Sequence, residues 1–130
     1  YFETINQRLK PGGRAAIQII TIDEARFADY SANPDFIQTY IFPGGMLPSP
    51  ERFRAEAQTA GLTIKDEEAF GLGYARTLHE WAKNFNQHWP EIAPLGFDQR
   101  FKRMWNYYCE GGFRGKSIDV YQFVLEKPQC

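Results

Sequence analysis

At 130 residues the chain has the length of one domain, enough to bury a core without disulfides. Its formal net charge of −1 excludes a general electrostatic pull toward nucleic acid or an anionic membrane, although Arg100, Lys102 and Arg103 form a local basic cluster. No apolar run reaches the length of a membrane-spanning helix and no signal peptide is visible. The two cysteines, Cys109 and Cys130, fit a reducing compartment better than a disulfide framework.

Residues 1–10 read as the end of a helix, with Phe2, Ile5 and Leu9 on one face and Pro11-Gly12-Gly13 stopping it. The chain opens at Tyr1, without Met, inside that helix, which points to a fragment of a longer protein. Arg14 to Ile22 is an Ile-rich apolar run, expected to be a strand covered on both faces as in a parallel sheet. Residues 23–48 look irregular apart from a short helix from Asp23 to Tyr30. Ser49-Pro50-Glu51 is a helix start, with a capping hydroxyl, Pro at the first position and an acid in the first turn. Phe53, Ala57 and Ala60 line that helix, and Gly61 ends it.

Thr63 to Phe70 reads as a strand whose charges place it near a sheet edge, followed by a turn at Gly71-Leu72-Gly73. Gly73 to Asn86 is an amphipathic helix with the stripe Tyr74, Leu78, Trp81 and Phe85. Residues 97–109 form another, with Phe97, Phe101, Met104, Trp105 and Tyr108, broken at Gly111-Gly112. Ile118 to Leu125 alternates as a final strand. Three strands with helices between them, the last pair antiparallel, define an α/β architecture.

Tyr40-Ile41-Phe42-Pro43-Gly44-Gly45-Met46-Leu47-Pro48 is too apolar for an ordinary loop and too rich in Pro and Gly for a helix or strand. It reads either as a tight connection burying Phe42 and Leu47 or as one wall of an apolar pocket. Ligands of open α/β sheets bind beyond the carboxyl ends of the strands, which draws attention to residues 18–23. Gln18 is polar within an apolar run. It is either a buried amide bonded to neighbouring backbone or an amide aimed into a pocket. Tyr74 alone reads as a core ring with its hydroxyl at the edge. His79 faces away from the apolar stripe, and His88 lies in a loop before Trp89-Pro90. Neither has partners at metal-ligand spacing, so no zinc or other metal site is expected.

Leu9-Lys10-Pro11-Gly12-Gly13, Tyr40-Ile-Phe-Pro-Gly-Gly, Tyr74-x-x-Thr77-Leu78-x-x-Trp81, Phe101-Lys-Arg-Met104-Trp105-x-Tyr107-Tyr108 and Val120-Tyr-Gln-Phe-Val124, in that order, cover nearly the whole chain. This series resembles the C-terminal part of the cyclopropane fatty acid synthases and mycolic acid cyclopropane synthases. The resemblance implies the C-terminal half of a Rossmann-like class I methyltransferase: its fifth, sixth and seventh strands, with the aromatic-rich helices inserted between the last two. Residues 1–130 would then be the C-terminal part of a single methyltransferase domain. The half that binds S-adenosylmethionine lies outside them, so no cofactor-binding residue is expected here and the isolated chain is expected to be inactive.

The resemblance also implies the chemistry. The alkene of an unsaturated acyl chain attacks the sulfonium methyl, a carbocation forms in the lipid, a base removes a proton and the ring closes. Tyr74 would line the site and contact a bound bicarbonate or carbonate ion. Gln18 stands where family members often carry a His for that ion, and Ile20 would contribute its backbone. The Gln cannot titrate, which puts a proton role at this position in doubt. Phe42, Leu47, Leu78, Trp105 and Tyr107 would bind the acyl chain, with Phe42, Leu47, Tyr74, Leu78 and Tyr107 converging on one cavity. The implied partners are membrane phospholipid acyl chains and a second copy in a homodimer, with no nucleic acid. The implied location is cytoplasmic, at the inner face of the membrane. Two alternatives stay open: a related enzyme that makes a methyl-branched lipid, and a noncatalytic lipid-binding module.

Overall fold

The computed structural model describes residues 1–111 and 118–129. Three strands form one sheet in the order β1 (Arg14–Ile22), β3 (Ile118–Glu126), β2 (Thr63–Ala69). β3 runs antiparallel to both neighbours, so β1 and β2 are parallel to each other. The β1–β3 register is unbroken from Arg14 opposite Glu126 to Ile22 opposite Ile118. β2 carries an irregularity between Ile64 and Asp66 and forms one edge, as its charges imply.

The pleat divides the core in two. One face, with Ile17, Ile19, Tyr121, Phe123 and Leu125, packs on α1 (Phe2–Arg8) and α3 (Pro50–Thr59). Phe53 of α3 stacks on Phe123 at 4.1 Å between ring centres. α3 starts where its sequence dictates: Ser49 Oγ accepts the Arg52 N–H at 3.2 Å, and Pro50 occupies the first turn. Gly61, at φ 77°, lets the chain turn back into β2. The other face, with Ile20, Ile118 and Val120, lies beneath α4 (Gly71–Gln87) and α6 (Gln99–Gly111).

Several expectations change. Among the described residues β1 is covered on both faces only toward its C-terminal end, and its pairing partner, β3, is antiparallel. Arg14, Ala16 and Gln18 are exposed, and only Thr21 and Ile22 are buried, because the helices of the α4–α6 layer reach only the C-terminal end of the strand. Gly71-Leu72-Gly73 is not a turn but the first turn of α4. The Gly71 N–H donates to Asp119 Oδ1 at 2.7 Å, an acceptor from the distant β3 that stands in for a local cap. Residues 23–48 hold more order than expected: α2 (Glu24–Ala32), capped by Asp23 Oδ1, and a π-helix over Ile37–Ile41. The loop expected at His88 is a single turn residue between two helices. It closes α4, with its Nδ1 2.8 Å from the Asn84 carbonyl, and leads directly into α5 (Trp89–Ile92). Trp81, placed on the apolar stripe, is exposed, and Ala82 takes the buried position beside it. The break expected at Gly111-Gly112 falls partly outside the described residues, and Gly111 is still helical.

Candidate active site

α4 and α6 lie side by side over the ends of β1 and β3, and their facing side chains make the cluster from which a site can be built. Leu78, Ala82, Tyr108, Cys109 and Val120 are buried at its centre. Ile20, Tyr74, Ala75 and Trp105 pack around them, with Ile37 and Ile41 from the π-helix. The helical period explains the selection. Positions 74, 78, 82 and 85 form one face of α4, and 101, 105 and 108 form the facing stripe of α6.

Aromatic rings run through this layer in near-continuous contact. Phe85 meets Trp105 at 6.2 Å, Trp105 meets Tyr108 at 5.3 Å, and Tyr108 meets Phe42 edge-on at 5.9 Å. Tyr74 sits near Trp81 at 6.3 Å. Burial pushes the Tyr108 hydroxyl above its ordinary value of 10.0, reinforced by nearby Tyr74 and then Cys109, so the phenol stays neutral through the physiological range.

The structure thus brings Ile20, Tyr74, Leu78 and Trp105 into one cluster, with Phe42 reaching it through Tyr108. Tyr107 is 64% exposed and turns away, with Phe36 edge-on at 5.0 Å. Leu47 is half-buried elsewhere, its N–H donating to Tyr30 Oη at 3.1 Å. The five residues expected to converge therefore divide. Tyr74 and Leu78 share the cluster, Phe42 stands at its rim, and Tyr107 and Leu47 pack with other partners. Gln18 lies on the same sheet face as Ile20, two residues earlier, and is exposed rather than buried. Its Oε1 accepts from Gln122 Nε2 at 3.0 Å, a cross-strand side-chain pair instead of a backbone partner. Among the described residues the Gln18 amide nitrogen makes no hydrogen bond, so it keeps a neutral N–H donor on the sheet face that also carries Ile20.

Sequence reasoning overlooked Tyr108 as a site residue although it belonged to the apolar stripe of its own helix. One residue is about 100° around a helix, so Tyr107 and Tyr108 cannot both face the core. Ile37 and Ile41 were hidden because a π-helix has no familiar apolar period.

Neither strand-to-helix turn described here is a glycine cradle for a nucleotide. β1 passes into α2 through Asp23, whose carboxylate is spent on the Ala25 N–H, and β2 passes into α4 through Gly71 pressed against Asp119. These turns do not fit S-adenosylmethionine.

The sheet order, with an antiparallel last strand inserted between two parallel ones, is that of a class I methyltransferase. The solved structures agree. The cyclopropane synthase MmaA2 from Mycobacterium tuberculosis matches with a TM-score of 0.82 at 28% identity, over 97% of this chain and 48% of that one. The mycolic acid cyclopropane synthase CmaA1, complexed with SAH and CTAB, matches with a TM-score of 0.84 at 25% identity over the same shares.

The family model for mycolic acid cyclopropane synthetase covers residues 1–123, and the chain belongs to that family of S-adenosylmethionine-dependent methyltransferases. It is 42% identical to the tuberculostearic acid methyltransferase UfaA1 of Mycobacterium tuberculosis, over 96% of this chain and 30% of the relative. It is 35% identical to the cyclopropane-fatty-acyl-phospholipid synthase of Escherichia coli, over 98% and 32%. The chain spans about a third of the length of these curated relatives.

Proposed function

We propose that the intact protein transfers a one-carbon unit to the double bond of an unsaturated acyl chain in a membrane phospholipid, closing a cyclopropane ring, and that residues 1–130 supply the acyl-chain wall of the site. The observation that carries this reading is the aromatic and aliphatic layer between α4 and α6, with Tyr74, Leu78 and Trp105 packed over Ile20 in a chain of this family. On this reading the cradle for S-adenosylmethionine lies outside these residues, and the reaction takes place at the inner face of the membrane. When bound, the cofactor supplies an electrophilic methyl group.

This chain's residues would do three things. The apolar layer holds the acyl chain and excludes water that would otherwise capture a positively charged carbon. The faces of Trp105, Tyr108 and Phe42 stabilise that charge by the electrostatics of cation–π contacts. The Tyr74 hydroxyl, the Gln18 amide and the Ile20 backbone hold a small anion such as bicarbonate or carbonate on the sheet face they share. Loss of a proton from the transferred methyl to that anion then closes the ring, the C–H electron pair forming the new C–C bond.

A second reading, a methyl-branched product, is favoured by Gln18, which cannot take up a proton as His can, and by a relative named as a methyltransferase rather than a cyclopropane synthase. The test is incubation of the intact protein with S-adenosylmethionine and vesicles of an unsaturated phospholipid. A product with upfield cyclopropane ring protons supports the first reading, and a methyl or methylene branch supports the second. No change in the lipid would leave the noncatalytic lipid-binding reading.

A further inference from the structure

The outer face of α6 and the segment around the π-helix form a surface with an unusual composition. α6 turns Phe101, Trp105 and Tyr108 inward, which leaves Arg100, Arg103 and Tyr107 together on the opposite face. From Gln99 to Cys109 the helix carries Arg100, Lys102 and Arg103 and no acid. Arg100 and Arg103 are exposed, and among the described residues neither makes an ion pair.

Tyr107 touches Phe36 at 5.0 Å, and Phe36 touches Tyr40 at 5.4 Å, so the basic helix face continues into the aromatic segment. There Tyr40 is 54% and Phe42 52% exposed, and no charged residue occurs from Phe36 to Pro50. Three acids border this surface: Glu110, which follows Cys109 at the far end of the helix, and Asp35 and Asp98, both engaged as caps. Asp35 accepts the Gln38 N–H at 2.8 Å, and Asp98 accepts the Phe101 N–H at 2.8 Å.

Surfaces that face only water intersperse charges of both signs and expose few aromatic rings. Cations outnumbering acids beside half-exposed Tyr and Phe match instead the boundary of a bilayer. There amphipathic rings sit at headgroup level and cations meet the negative leaflet potential. The overall charge of −1 does not oppose this, because charges more than a Debye length of about 8 Å away are screened.

We propose that this face docks the protein on bilayers containing anionic phospholipid and thereby brings acyl chains to the α4–α6 layer. The proposal rests on the lipid reading of the site given above and adds to it the lipid charge and the docking residues.

The experiment is flotation of the intact protein with vesicles of phosphatidylcholine alone and with vesicles also containing phosphatidylglycerol, at low and high salt. Preference for the phosphatidylglycerol vesicles, reduced by salt, is expected. The double substitution R100Q/R103Q should weaken that partition by roughly thirtyfold, since each cation near an anionic surface is worth about fivefold. R100K/R103K should retain it, and Tyr40→Ser should weaken it several-fold at either salt. With a detergent-dispersed unsaturated acyl substrate, R100Q/R103Q should turn over like the unsubstituted protein. Equal binding to both vesicle types, or equal partition of R100Q/R103Q, overturns the proposal. So does tighter Arg-dependent binding to duplex DNA or to an acidic protein than to the vesicles. Arg-dependent vesicle binding without any lipid product would overturn the catalytic reading and leave the docking surface standing.

Discussion

Gly71→Ala sets helix propensity against packing at the point where α4 meets the sheet. Propensity alone favours the alanine by about 1 kcal/mol in a helix. The structure opposes it. A Cβ at position 71 would overlap Asp119 Oδ1, with Asp119 Cγ at 3.0 Å and its Cα at 3.2 Å; the Cα is backbone and cannot swing aside, and the carboxylate could move only by giving up its hydrogen bonds. The same Oδ1 accepts the N–H groups of Gly71 and Val120, each at 2.7 Å. Overpacking costs about 1–3 kcal/mol, and a hydrogen bond to a charged group is worth about 1.5–3 kcal/mol. With both costs felt and the propensity gain subtracted, Gly71→Ala should destabilise by roughly 1.5–5 kcal/mol. Gly73→Ala is the matched control, with nothing within 4 Å of the added carbon, and it should be neutral or stabilising by up to about 1 kcal/mol. Urea unfolding of both variants, with unchanged slopes, measures the difference. If Gly71→Ala is as stable as Gly73→Ala, the contact with Asp119 does not fix the start of α4. Because Tyr74 lies one turn further along, the same displacement should also lower turnover in the intact protein.

Leu78→Ala empties the centre of the α4–α6 cluster, where Leu78 is almost fully buried, and should cost about 2–5 kcal/mol by thermal or urea unfolding. Tyr74→Phe keeps the ring. If the hydroxyl positions an anion for proton transfer, turnover on unsaturated phospholipid vesicles should fall by about 10²–10⁴ at unchanged melting temperature, whereas a merely structural hydrogen bond would cost tenfold at most, about 0.5–1.5 kcal/mol. Arg54 donates two hydrogen bonds to Glu67, at 2.8 and 2.7 Å, and holds its carboxyl below the ordinary value of 4.5. That stabilisation is present above the unfolded-state value and is lost as pH falls through the lower folded value. Arg54→Met should therefore cost up to about 1 kcal/mol near neutral pH, the pair being about a third exposed, and the gap from the unsubstituted protein should close in acid. An equal gap in acid and at neutral pH would assign the loss to packing.

Much of the architecture was legible because it is written in local chemistry. Ser49-Pro50 announced α3 through a hydroxyl and a fixed φ, and the stripes of α4 and α6 followed from the 3.6-residue period. The alternation along β3 foretold its two faces, and the charged β2 foretold an edge. The motif order carried the family without any coordinate.

What only the tertiary structure decided depends on residues far apart in the chain. Gly71 begins a helix because Asp119, 48 residues away, caps it. Gln18 finds its partner in Gln122 across the sheet, which turns an apparent core polar group into an exposed pair. Tyr108 and not Tyr107 enters the candidate site, and Leu47 turns to Tyr30, because helix phase and long-range packing select one face at each position. Local propensity acts over a few residues, whereas a site and a docking face are made where distant segments meet, and that meeting is settled by burial and pairing across the whole fold.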